Sequence, residues 1–174
     1  MQKILITGPE SSGKSELASF LARHFDCPLA PEYAREYLLR LDRPYQQDDL
    51  TAILHGQLDQ ERILARPDAP FLFCDTGPEV IYIWSEVKYG QAAPAIHSAL
   101  TEQHYDLRLL CYPDLPWTPD PLREAPDQHV RLALFKRYIA LHERHGWAYH
   151  TITGQGAARW EKARVIVETL SEGA

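Results

Sequence analysis

The chain has 174 residues, 45% of them hydrophobic and 24% charged, with a formal net charge of −6, which fits one ordinary domain with room for a substantial core. That acidic balance leaves no basic footprint for nucleic acid or an anionic membrane, and no apolar run approaches the roughly 20 residues of a membrane span. The first residues enter a strand-like run without a charged leader and signal-type segment, so the expected location is cytoplasmic.

The first run, "KILIT", leads into "GPESSGKS" at residues 8–15. The spacing from Gly8 to Ser15 fits G-x-x-x-x-G-K-[ST], the phosphate-cradling P-loop. Polyphosphate is a dense anion and needs several donors that approach closely. Gly8 and Gly13 permit torsions that turn successive N–H groups inward. Lys14 adds a mobile charge for the outer phosphates, and Ser15 offers a hydroxyl to Mg²⁺. The amphipathic "SELASFLARHF" then presents its positive end to the same phosphates. The expected nucleotide contacts are Gly8, Ser11, Ser12, Gly13, Lys14, Ser15 and Glu16.

A second short strand, "CPLA", exits into "PEYAREY", placing Glu32 at a strand end. There a carboxylate can accept the proton of an acceptor hydroxyl near a γ-phosphate, or serve only as a helix N-terminal acid. Tyr33 and Arg35 are candidates for acceptor contact, though the same residues also suit ordinary helix surface and core. Helical patterns follow in "REYLLRL" and near residues 46–66, and then the strand "PFLFCD" ends in Asp75. An apolar run closed by an aspartate has the pattern of a Walker B strand, whose acid holds Mg²⁺ directly or through water; its structural alternative is a turn or cap.

Helical patterns in "EVIYIWSEVKYG" and "AIHSALTEQ" lead to the strand "DLRLLCY" and then to "PDLPWTPDPLREAPD". This proline- and acid-rich segment is longer than an ordinary connection, so residues 113–127 read as a lid or binding loop. Arg123 is its single basic residue. A closing lid can deliver such a guanidinium to transferring phosphate, whereas a plain surface loop would pair it with Asp120 or Glu124. Trp117 suits either a stacking platform or a hydrophobic anchor. The helix "HVRLALFKRYIALHERHG", the strand "WAYHTI" and the helix "GAARWEKARVIVETL" complete the chain.

The eight histidines show no metal-ligand spacing with cysteine, and His142 and His145, near a helix end, are expected in solvent. Cys27, Cys74 and Cys111 lie far apart beside or within apolar runs, as reduced buried thiols do. Strand–helix alternation throughout predicts an α/β domain with about five parallel strands covered on both faces, its functional residues at the carboxyl ends of strands.

Taken in order, "GPESSGKSELA", "PEYAREYL", "FCDT", "WSEVKYG" and "DLPWTPDPLRE" resemble the ribosylnicotinamide kinase-like P-loop family, which includes the kinase domain of bacterial bifunctional NAD-biosynthesis regulators. The resemblance runs from about Ile4 to Leu170. It implies a P-loop kinase fold and transfer of the ATP γ-phosphate to the 5′-hydroxyl of nicotinamide riboside. By the same resemblance Gly13, Lys14 and Ser15 fall in the phosphate and Mg²⁺ site, and Glu32, Tyr33 and Arg35 in the second-strand motif. Asp75 matches the third-strand acid, and Trp117 and Arg123 the lid. Gly77 departs from the pattern, standing where the family often has a second acid. The DNA-binding and adenylyltransferase domains of the regulators have no counterpart, so a stand-alone kinase-like unit is expected.

The expected function is therefore Mg²⁺/ATP-dependent phosphorylation of a small nucleoside, with Lys14, Glu32, Asp75 and Arg123 as the catalytic group. Neither a nucleic-acid nor a membrane partner is expected, and a homo-oligomer is allowed. Another nucleoside kinase, or an ATP-binding switch with slow hydrolysis, is the alternative; a DNA-acting ATPase ranks below both.

Overall fold

The computed structural model describes residues 1–172. Five parallel strands, β1 (Gln2–Thr7), β2 (Leu29–Ala30), β3 (Phe71–Asp75), β4 (Leu107–Cys111) and β5 (His150–Ile152), form one sheet in the order β2-β3-β1-β4-β5. Seven helices connect and cover them: α1 (Lys14–His24), α2 (Tyr33–Leu39), α3 (Gln47–Leu64), α4 (Pro78–Tyr89), α5 (Pro94–Glu102), α6 (Gln128–His145) and α7 (Gly156–Glu172). The chain is thus a three-layer α/β sandwich, and each strand-like and helical run of the sequence has its element.

Strands β3 and β4 are buried along their whole length, as expected for strands covered on both faces. On one side Leu17, Leu21, Ala163 and Val167 from α1 and α7 pack against Ile4, Ile6, Phe73 and Leu109. On the other, Ile53 and Leu54 of α3 join Ile81, Ile96 and Tyr138. Among the described residues no helix is long and apolar enough to cross a membrane.

His142 corrects the expectation of a solvated side chain. It is fully buried, with its Nδ1 2.7 Å from the Tyr138 carbonyl and its Nε2 3.4 Å from Glu79. Its position one turn beyond Tyr138 puts it on the stripe of α6 that faces the core. Glu79 also accepts a 2.8 Å bond from Arg108 of β4, pinning the start of α4 to the sheet. Cys74 and Cys111 are buried, while Cys27 is only half-buried.

The sheet register places the site. β1 lies between β3 and β4, with Ile6 opposite both Asp75 and Leu109. Asp75 therefore ends its strand beside the chain as it leaves β1 into the glycine-bearing loop, and the Thr76 amide donates to the Ile6 carbonyl at 3.0 Å.

Candidate active site

The loop after β1 needs its glycines for different reasons. Gly8 has φ +136, and a side chain there would place Cβ 2.7 Å from the Cys111 carbonyl oxygen. Gly13 has φ +75 and caps α1 without any side-chain acceptor, so the first amides of the helix face the loop with their orphan donors free for an anion. The loop is tightened from within by the Ser12 hydroxyl, which donates to the Pro9 carbonyl at 2.7 Å, and by the Lys14 ammonium, which donates to the same carbonyl at 2.9 Å.

A cavity of about 640 Å³ opens over this loop. Gly8, Ser11, Ser12, Gly13, Lys14, Ser15 and Glu16 of the loop line it, together with Glu32, Arg35 and Arg123. Leu50, Ile53, Val80, Ile81 and Trp84 add apolar wall. Glu32 is the N-cap of α2 by backbone position, but its side chain makes no capping bond. Its carboxylate lines the cavity, so the helix-cap alternative accounts for the backbone and not for the side chain.

Asp75 does not line the cavity: it is almost fully buried, with Oδ1 lacking any hydrogen-bond partner. Burial, and then the charge of Glu32, push its carboxyl up from 3.8 to about 6, against the Ser15 hydroxyl and the Lys14 charge, which pull it down. A buried carboxylate with an unused oxygen beside an exposed serine hydroxyl is a donor set suited to a hard divalent cation.

The segment expected as a lid, residues 113–127, carries no helix or strand. Arg131 and Gln128 of α6 hold its base, donating to the carbonyls of Leu115 at 3.1 Å and Pro113 at 2.7 Å. Arg35 crosses to Asp120 at 2.8 Å, and this pairing lowers the Asp120 carboxyl. Arg123 pairs with neither acid that a plain surface loop would offer. Its Nη1 turns back onto the Thr118 carbonyl at 2.5 Å and onto the Thr118 hydroxyl.

Two further sequence-predicted contacts also lie off the cavity wall. The Tyr33 ring fills the space left by Gly56, whose Cβ would come within 2.0 Å of it, and is absent from the cavity wall. Trp117 is likewise off the wall, its indole Nε1 donating to Glu10 at 3.3 Å, so it anchors the segment 113–127 rather than serving as a platform.

Two residues escaped the sequence reading. Arg159 of α7, almost fully buried, donates to the Ser12 carbonyl at 2.6 Å, the Gly154 carbonyl at 2.9 Å and Asp114 at 3.0 Å. It braces the P-loop and ties it to Asp114 at the start of the segment 113–127. Its signal was its place one turn before Ala163 and two before Val167, on the buried stripe of α7. Glu10 is the other: an acid inside a loop built for anions, which the motif treats as a free position.

A protein-family model of an AAA domain, AAA_28, matches residues 3–159. The chain belongs to this AAA domain family. It is also similar to the trifunctional NAD biosynthesis/regulator protein NadR of Salmonella typhimurium, 28% identical over 129 residues that make up 71% of this chain and 31% of that protein. The chain thus spans less than a third of the length of this curated relative. NadR protein solved in complex with NR superposes with a TM-score of 0.76 at 20% identity, covering 97% of this chain and 51% of that one. NadR protein solved with NAD and AMP-PNP gives 0.78 at 20% identity, over 97% and 49%. The thymidylate kinase of Ehrlichia chaffeensis gives 0.67 at 12% identity, over 97% of both chains. The AAA-family chain therefore shares its α/β fold with the NadR structures and with thymidylate kinase.

Proposed function

We propose that this chain is an ATP-dependent kinase of a small nucleoside, acting on the 5′-hydroxyl of nicotinamide riboside to give nicotinamide mononucleotide. One observation carries the reading: a phosphate-binding loop, a glutamate free of any capping bond and an arginine share a cavity with apolar wall residues. A nucleoside has matching parts, a hydroxyl to place near the phosphates and a flat ring to bury. The similarity to NadR, and NadR's complex with NR, support nicotinamide riboside over other nucleosides.

The residues divide the work. The loop amides and Lys14 hold the outer phosphates, with Ser11, Ser12 and Glu16 around them. Glu32 accepts the proton as the acceptor oxygen bonds to the γ-phosphorus; the bond from that phosphorus to the β–γ bridging oxygen breaks, and ADP departs with the electron pair. Arg123 stabilises charge on the transferring group. Ser15 and Asp75 would hold Mg²⁺, which would supply charge neutralisation for phosphoryl transfer. Arg35 contacts the acceptor side, and residues 113–127 act as the lid of a single unit.

The deciding experiment is an ATP-consumption screen over nucleosides, with product identification by mass spectrometry. Nicotinamide riboside should give the highest kcat/KM. Faster turnover with a deoxynucleoside would move the acceptor to that class, and ATP hydrolysis unchanged by every nucleoside would replace the kinase with a nucleotide switch.

A further inference from the structure

Glu10 occupies the second variable position of the P-loop, where a negative charge opposes the phosphates the loop attracts. Yet its carboxylate is fully committed to the lid. Oε2 accepts from the Glu124 amide at 2.9 Å, and Oε1 from the Ala125 amide at 2.7 Å and from Trp117 Nε1 at 3.3 Å. One carboxylate thus bridges two successive backbone amides, and Ala125 is buried, so its amide has little access to water as a substitute. Charge-assisted bonds of this kind are about twice as strong as neutral ones. Ser11, the next residue, adds a bond from its hydroxyl to the Pro116 carbonyl at 3.3 Å.

The amides that Glu10 holds belong to the two residues directly after Arg123. A fixed carbonyl or amide one residue away sets where a side chain starts, and a flexible guanidinium then has fewer conformations to lose on reaching its target. We propose that Glu10 is a positioning residue: it fixes the lid's register over the P-loop so that Arg123 emerges above the phosphate site. The bonds to the lid donors make up for the carboxylate's lost hydration, and its negative charge stays beside the phosphate loop.

This rests on the kinase reading only for its kinetic consequence, and the test separates the two. Amide hydrogen exchange at Glu124 and Ala125, measured by NMR without nucleotide, reads the latch itself. Glu10→Ala should speed exchange at both amides at least tenfold, and should shift the fluorescence contributed by Trp117, identified by difference against Trp117→Phe. Glu10→Gln keeps one good acceptor oxygen and should show a smaller change, which distinguishes a lost latch from a damaged fold. In the kinase assay Glu10→Ala should lower kcat about tenfold while KM for ATP stays level or falls, since a negative charge leaves the loop. Combined with Arg123→Ala it should add nothing beyond Arg123→Ala alone, as expected for two residues acting through one contact. Exchange at the wild-type rate in Glu10→Ala would overturn the proposal, and so would multiplying effects of the two substitutions on kcat. If the wild-type protein phosphorylates no nucleoside, the kinase reading fails by itself; the same double-mutant comparison is then made on ATP hydrolysis, and exchange still decides the latch.

Discussion

The Lys14 ammonium donates to the carbonyl of Pro9 at 2.9 Å, so the loop's cation lies folded over its own backbone before any phosphate arrives. A bound polyphosphate offers a charged acceptor in place of a neutral one, and the lysine need only swing from one to the other. Lys14→Met keeps the apolar stem and removes the charge. ATP affinity should fall at least about 100-fold, as expected for losing a charge-assisted contact in such a site, with thermal unfolding little altered. Calorimetric titration with a non-hydrolysable ATP analogue measures it, and near-normal binding would remove Lys14 from the site.

Asp75 makes a pH prediction. Its carboxyl is raised from 3.8 to about 6, so between those values the folded chain keeps a proton the unfolded chain has released. Its contribution to stability is full below about pH 4 and is lost as pH rises through 6. At about 1.4 kcal/mol per pKa unit the swing is about 3 kcal/mol. Asp75→Asn does not titrate. In urea unfolding with EDTA present, wild type should lose about that much stability relative to Asp75→Asn between pH 4 and 7. A flat difference would mean the buried oxygen is solvated.

Glu32→Gln separates kinase from switch. Shape is retained and the proton acceptor is lost, so nucleoside phosphorylation should drop about 10²–10⁴-fold. ATP binding should change little, because the phosphates are held by the loop. Acceptor-free hydrolysis, measured on the same protein, should persist. Unchanged phosphorylation would pass the role of base to Asp75.

Arg123→Ala should lower kcat about 10³-fold, within the range of an arginine acting on transferring phosphate, and leave ATP binding within a few-fold of wild type. The arginine is held by Thr118 rather than by an acid, so no ion pair must break for it to turn inward. Equal losses in kcat and ATP affinity would mark a contact made already in the ground state.

Much of this was legible in the sequence because the signals were local. Apolar runs bounded by glycine, proline and acids gave the five strands, and the spacing from Gly8 to Ser15 gave the phosphate loop. The strand order was not legible, since it depends on which runs pair across long separations. Asp75 was readable as a strand-end acid, but its raised carboxyl comes from burial and from Glu32, more than 40 positions away in the chain. Tyr33 and Glu32 are adjacent yet face different environments: the start of α2 leaves the glutamate on the cavity and turns the tyrosine into the notch at Gly56. Local pattern does not distinguish those two outcomes. Trp117 could be read as anchor or platform, and only the position of Glu10 decides it.

The bond from Arg159 to the Ser12 carbonyl joins positions 147 residues apart. During synthesis the phosphate loop is made long before its brace in α7. A nascent chain that already displays the complete glycine–lysine motif still has an unsupported loop until α7 docks. ATP then stabilises only molecules in which that docking has occurred, by the ordinary linkage of ligand to the state it binds. ATP would thus act as a selector for chains in which α7 has docked: a chain cut before Gly156 would carry the whole motif and gain little protection against proteolysis from the nucleotide, while one that carries α7 would gain most.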